Sequence, residues 1–380
     1  MGRLRLSWEK IVEENLQGAT VRSAPGLTHV IAVINVAVMI VAVVALLVLP
    51  FGRPAEREAR PVQKETPPPR SRVQAPPAVK ATPEWAREVG ANELGLVPVI
   101  MYHRILRKRI ANIDRTPGQL RAELENLAKG GYVPVTAAEF AAGKIDIPAG
   151  AHPVVLTFDD GNPSHFALGA DGLPVPDTAV RIILEVAQRY PAFRPVATFW
   201  VNRDPFGSPD RPGQRAAVQW LTHHGFEVAN HTYGHPDLRR LTKKRVSEAI
   251  VRQQRLLKSL GAPPSKTFAL PYGSRPRKRS VSHEGSWDGT KYHFDAVFLA
   301  GAEPSVSPYA KSFDRFDIPR IQSNGKKGEC RKWCSQHWLE WLDAHPRERY
   351  TSDGDPGHIS MPQRFRGKIQ AKLGRLTVVY

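Results

Sequence analysis

Four stretches of the chain end an apolar run on a residue able to do chemistry. "PVVLTF" runs into Asp159 and Asp160, "FEVAN" into His231, "TFALP" into Tyr272 and "VPVIMY" into His103. The adjacent acids are followed by Gly161, and an Asp-Gly pair alone is an ordinary turn signal. The spacing of the histidines adds to it: "NHTYGH" sets His231 and His235 four apart, so one turn of helix would bring both imidazoles to one side. Two neutral imidazoles and one carboxylate make a facial ligand set that leaves positions open for water and substrate, as catalytic zinc and related divalent ions require. A second carboxylate beside the ion, but not bound to it, can accept a proton from the attacking water.

The elements that must position these groups alternate in type. Further apolar runs suited to strands start at Pro195, Asp295 and Asp317, with "LTVVY" at the C-terminus. Between the runs lie amphipathic segments suited to helices: "TPGQLRAELENLAKGG", "DTAVRIILEVAQRY", "RAAVQWLTHHG" and "TKKRVSEAIVRQQRLLKSLG". Gly130 and Gly261 are placed as helix C-caps and Asp177 as an N-cap. Strand and helix in alternation predict an α/β fold with a parallel sheet or barrel. In such a barrel the C-terminal strand ends share one face, where His103, the two acids, His231 and Tyr272 would converge.

The ordered set "TFDDG", "NHTYGH" and "LPYG" resembles the polysaccharide deacetylase (NodB homology) family of carbohydrate esterases, family four, over roughly Val97 to Ile321. The resemblance implies a distorted (β/α) barrel of that type. It also implies Asp159 as catalytic base, Asp160, His231 and His235 as ligands of a divalent metal, Zn2+ by preference, and the backbone N–H of Tyr272 facing the oxyanion. The implied reaction is removal of N-acetyl groups from an N-acetylhexosamine-containing cell-wall or surface polysaccharide. An O-acetyl esterase acting on an acetylated xylan-like polymer, and a non-catalytic polysaccharide-binding protein of the same fold, remain open beside it.

Two positions depart from the family pattern. Where the family often carries an arginine paired with the catalytic aspartate, two residues before the proline, this chain has Ala269; Arg275 and Arg320 are the candidates to replace it. The late strand that usually ends in a proton-donating histidine has no convincing counterpart at His337, His345 or His358. "VPVIMYHRI" has that form at the beginning instead, which resembles the circularly permuted branch and makes His103 the candidate acid.

The rest of the chain sets the context. Residues 30–50 form an uncharged apolar run long enough to span a bilayer as one transmembrane helix. Its length and its acid-containing leader, residues 1–29, read as an uncleaved anchor with a cytoplasmic leader. A Pro-rich linker, 51–92, then precedes the catalytic domain, 93–380. Arg53, Arg57, Arg60, Lys64 and Arg70 after the span outnumber Lys10 and Arg22 before it, a bias toward a cytoplasmic C-terminal side. The resemblance implies the opposite: a single-pass cell-membrane protein with its catalytic domain outside. Long domains translocate largely regardless of loop charge.

With 54 basic against 36 acidic residues the net charge is +18, which favours anionic partners such as wall polymers, anionic lipid or nucleic acid. No recognition helix, zinc finger or RNA-binding signature is present, so no specific nucleic-acid partner is expected. The only cysteines, Cys330 and Cys334, could form a disulfide outside the cytoplasm. With His337 they fall short of a closed zinc set. Trp333, Trp338 and Trp341 have near-helical spacing suited to a core face, and the turn-rich "RYTSDGDPG" from Arg349 reads as a loop at the active face.

Overall fold

The computed structural model describes residues 80–380. The anchor expected at 30–50 and the linker up to residue 79 lie outside them; among the described residues no helix is long and apolar enough to cross a membrane. In chain order the elements are α1 (Pro83–Glu88), β1 (Val99–Tyr102), α2 (Pro117–Lys129), β2 (Tyr132–Val135), α3 (Ala137–Ala141), β3 (His152–Asp160), α4 (Ala179–Arg189), β4 (Thr198–Val201), α5 (Arg211–His223), β5 (Glu227–Asn230), α6 (Lys243–Ser259), β6 (Thr267–Ala269), β7 (Glu284–Trp287), β8 (Thr290–His293), β9 (Ala296–Phe298), β10 (Ile321–Gln322), α7 (Ser335–Ala344), β11 (Ile359–Met361) and β12 (Thr377–Val379).

Eight strands form one sheet in the order β10-β1-β3-β4-β5-β6-β9, with β2 on the first half of β3, and every pairing is parallel. The sheet curls until one segment touches both edges. Ile318 bridges Phe298 of β9, and three residues later Ile321 pairs with Ile100 of β1. The fold is thus the α/β parallel barrel type expected from the alternation of elements.

Side-chain alternation sorts the two faces. On β3, Val154, Leu156 and Phe158 face the outer core beneath α2, α4 and α5, while Val155 belongs to the inner core with Val99, Trp200, Ala229, Ala269, Phe298 and Ile318. Counting on in steps of two, Val99 leads to His103, Val155 to Asp159, Ala229 to His231 and Ile318 to Arg320. All four share the inward parity of that core, with Asp159 in register with Trp200.

The helices outside are locally well specified. α2 and α3 begin with reciprocal capping boxes, Thr116 with Gln119 and Thr136 with Glu139. The cap of α4 is Thr178 and not Asp177, which takes a left-handed φ of 65° and meets Arg107 instead.

Four segments differ from the sequence reading. Residues 81–92, read as the end of the linker, are packed on the fold: α1 buries Ala86, and the Trp85 Nε1–H donates to the Asp353 carbonyl at 2.8 Å. "LTVVY" stays out of the barrel, β12 pairing only with β11. The segment from Arg349 lies at the far end of the barrel from the site. The His152 ring bonds the Tyr350 carbonyl at 2.8 Å and the Ser352 N–H the Ala151 carbonyl, both at the start of β3. Trp333, Trp338 and Trp341 are half-buried, and α7 buries Ser335 and Leu342 in place of a tryptophan stripe.

Candidate metal and proton-transfer site

The end of β3 splits the two acids. Asp159 keeps the strand's inward direction and is buried. Asp160 then takes a φ of 80°, turning its side chain up to the mouth, where it is 42% exposed. Gly161 must follow because it continues at φ 62°, and a Cβ there would sit 2.9 Å from Cγ1 of Val201. The "DDG" order is therefore a backbone device that gives neighbouring carboxylates different surroundings.

The two histidines arrive by a loop rather than by the helical turn expected from their spacing. Residues 231–236 are non-helical, with Thr232 at φ 67° and His235 at φ 52°. Side-chain amides hold this path in place. Asn230 accepts from the Thr232 N–H at 2.8 Å, and Asn202 donates to the carbonyls of His231 and Thr232 at 2.8 and 3.0 Å. Gln253 of α6 in turn donates to the carbonyls of Val201 and Asn202.

The ligand candidates come together. One donor atom each from Asp160, His231 and His235 lies within 4.8 Å of the others. The Asp160 Oδ1 is 3.6 Å from His231 Nε2 and 3.4 Å from His235 Nε2. His231 Nδ1 is 2.8 Å from the carbonyl of Ala269, so that nitrogen carries the proton and Nε2 presents its lone pair to the cluster. Burial, with His231 beside it, pushes His235 down to about 4, leaving a neutral imidazole at neutral pH. Two unprotonated nitrogens and a carboxylate oxygen converging on one point fit a divalent transition-metal ion.

Asp159 is held by the residue that replaces the missing arginine. Arg320, fully buried, donates from Nη1 to Oδ1 and from Nη2 to Oδ2, both at 2.7 Å. Its Nε bonds the Leu299 carbonyl at 2.6 Å and its guanidinium lies 5.0 Å from the centre of the Trp200 ring. Arg275, the other candidate, pairs with Asp317 instead. Burial works against the Asp159 charge, but Arg320 outweighs it and holds the carboxyl well below the usual carboxylate range. The Asp159 Oδ2 remains 3.9 Å from His231 Nε2, at the edge of the ligand cluster.

His103 and Tyr272 complete the mouth. Burial lowers the pKa of His103 against the pull of Asp159 and Asp160. Among the described residues its Nδ1 is buried without a hydrogen-bond partner, and its carbonyl takes a short bond from His165. Tyr272, at φ 57°, is half-exposed with its ring 4.4 Å from that of His235. All six residues singled out from the sequence thus gather at one end of the barrel. The sequence reading missed the amide scaffold of Asn202, Asn230 and Gln253, and left Arg320 undecided although it shares inward parity with Ile318.

A barrel whose strand ends bring a carboxylate–imidazole cluster beside an arginine-clamped acid defines a class of hydrolase-like sites. Residues 146–284 match the model of the polysaccharide deacetylase family, and the chain carries a domain of that family. Among solved structures, it is similar to a polysaccharide deacetylase from Bacillus cereus, with 19% identity and a TM-score of 0.45 over 60% of this chain and 64% of that one. The deacetylase PplD of Streptococcus pyogenes, in complex with acetate, gives 18% and 0.44 over 60% of this chain and 91% of that one. IcaB from Ammonifex degensii gives 19% and 0.44 over 61% and 93%. No curated protein matches the chain.

Proposed function

We propose that the protein is a metal-dependent hydrolase that removes N-acetyl groups from an N-acetylhexosamine-containing cell-wall or surface polysaccharide. The observation that carries this reading is the division of labour between the adjacent acids. Asp160 faces both imidazoles, while Asp159, immobilised by Arg320, keeps one oxygen at the edge of the same cluster.

Asp160, His231 and His235 would hold a divalent ion, which would supply Lewis-acid polarisation of the acetamide carbonyl and acidify water. Asp159 takes the proton from the attacking water. The arginine clamp makes it a weak base but keeps it ionised and aimed at the edge of the ligand cluster. The N–H of Tyr272 faces the developing oxyanion. His103, across the mouth at the end of β1, protonates the departing sugar amine from its imidazolium form, which the nearby Asp159 and Asp160 favour against burial, giving acetate and a free amine. That place on the first strand supports the permuted family branch. Because Arg320 fills the role left empty at Ala269, the reading as a mere polysaccharide binder loses its main support.

The uncharged run at 30–50 anchors the chain in the cell membrane with its catalytic domain outside, and Zn2+ is the ion we assign. The Cys330–Cys334 disulfide supports an oxidising compartment. The test is acetate release by the full-length chain from chitin oligomers and from acetylated xylan, before and after chelation. Chelator-sensitive release from the amide polymer is expected; release from xylan alone makes the protein an O-acetyl esterase, and release from neither of these nor from an acidic N-acetylated polymer refutes the reading.

A further inference from the structure

Charge is distributed unevenly over the fold. The described residues carry 44 basic and 30 acidic side chains, a net +14. Three loops hold most of that excess. Residues 103–116, after β1, have five basic residues against one acid; 270–283, after β6, have four against none; 323–334, after β10, have four against one. Together they contribute +11. Because β1, β6 and β10 belong to one parallel sheet, all three loops leave from the end where the candidate site lies. The loops after β3 and β4, by contrast, are net acidic by two charges and one, and the segment from β9 to β10 is neutral.

Part of the basic charge is neutralised internally, as in Arg104 with Asp114, Arg275 with Asp317, Arg279 with Asp314 and Lys326 with Glu340. Lys108, Arg277, Lys278, Lys327, Arg331 and Lys332 are exposed and, among the described residues, have no carboxylate partner within 4.0 Å. They fall into two groups. The loops after the adjacent strands β10 and β1 form one flank of the mouth, and the loop after β6, five residues beyond the Tyr272 that lies against His235, forms the other. Cations on both sides of a cleft focus its field on whatever lies across it.

We infer that the polymer lying across this mouth is an acidic N-acetylated polysaccharide, one whose sugars on either side of the reacting acetamide carry carboxylate or phosphate groups. The inference rests on the deacetylase reading for the acetamide, and on the rim alone for the anions. The unpaired cations meet the flanking sugars, so the preference resides in polymer binding and in KM rather than in kcat.

The test measures binding of the full-length chain to a polymer of alternating N-acetylglucosamine and glucuronate, and to the same polymer with its carboxyl groups reduced to alcohols. The acidic form should bind about tenfold tighter at low salt, with the advantage shrinking as ionic strength rises. The variant Arg277→Gln/Lys278→Gln/Lys327→Gln should lose that advantage. Lys129→Gln/Lys258→Gln, exposed at the C-terminal ends of α2 and α6, should keep it. Equal affinity for the two polymers, or equal weakening by both variants, overturns the proposal. Tighter rim-dependent binding of single-stranded DNA or of anionic vesicles than of the acidic polymer also overturns it. If the acidic polymer binds through the rim but no N-acetylated polymer releases acetate, the rim assignment stands and the deacetylase reading falls.

Discussion

Replacing Arg320 with methionine is the sharpest perturbation of this site. The guanidinium and the Asp159 carboxylate are both buried and joined by two bonds of 2.7 Å, and the same side chain satisfies the Leu299 carbonyl. Methionine approximates the stem volume but leaves a carboxylate without a partner in the barrel interior. Breaking one side of a buried pair costs about 3–5 kcal/mol, mostly because the remaining charge is uncompensated. Removing the charge as well, in Asp159→Asn/Arg320→Met, should recover part of the loss, since neighbouring substitutions that share an interaction are not additive. Denaturant unfolding of the wild type, both single variants and the double variant gives the coupling directly. Arg320→Lys should fall between, because an ammonium cannot reproduce the two-point contact. If Arg320→Met costs less than about 1 kcal/mol, or if the two losses simply add, the clamp is an ordinary surface-grade ion pair. The account of Asp159 as an immobilised base then fails.

Three further outcomes follow from the same geometry. Asp159→Asn should lower acetate release by about 10²–10⁴-fold while metal content, read by elemental analysis, stays at the wild-type level; loss of metal in that variant would make Asp159 a ligand. His235→Gln should lose metal in the same assay and Ala269→Gly should not, since the bond to His231 uses only the backbone carbonyl of Ala269. At the other end of the barrel, burial and the nearby Arg349 push His152 down to about 4. An unfolded histidine titrates near 6.5, so the unfolded chain binds the extra proton first. Stability is then complete above about pH 6.5 and drops by about 3 kcal/mol as pH falls toward 4. His152→Gln should flatten that part of the stability–pH curve, and an unchanged slope would show that His152 contributes nothing to it.

The parts of the site that lie on strands were legible because a strand's period of two carries direction forward. Val155 predicts Asp159, and Ala229 predicts His231. The same counting from Ile318 would have chosen Arg320 over Arg275, which sits in a loop with no periodicity to follow. What the spacing misjudged was the His231–His235 pair. Four residues can bring two rings together by a helical turn or by a loop with reversed dihedrals, and hydrogen bonds from Asn202 and Gln253, 29 or more positions away from one end or the other of that network, select the loop. The position of the Arg349 segment was illegible for a similar reason: its polar, turn-rich composition describes a loop but not the end of the barrel it covers.

The backbone shows why this scaffold needs its amides. Among the described residues seven non-glycine positions have positive φ, and four of them are Asp160, Thr232, His235 and Tyr272. A side chain in the left-handed region costs about 1–2 kcal/mol, so such residues persist only where the surroundings over-determine them. Here three of the four bear groups assigned to the reaction, and the fourth, Thr232, lies between the two imidazoles. The dihedrals that aim Asp160 away from Asp159, and His235 back toward His231, are the ones a relaxed chain would abandon. Asn230, which fixes the Thr232 N–H while donating to the Ile250 carbonyl of α6, is therefore the residue through which helix packing is converted into ligand geometry. Asn230→Ala removes both bonds from a fully buried position and should weaken metal affinity well beyond its cost to global stability. A variant that lost stability while binding metal with wild-type affinity would show that the loop holds its shape without the helix.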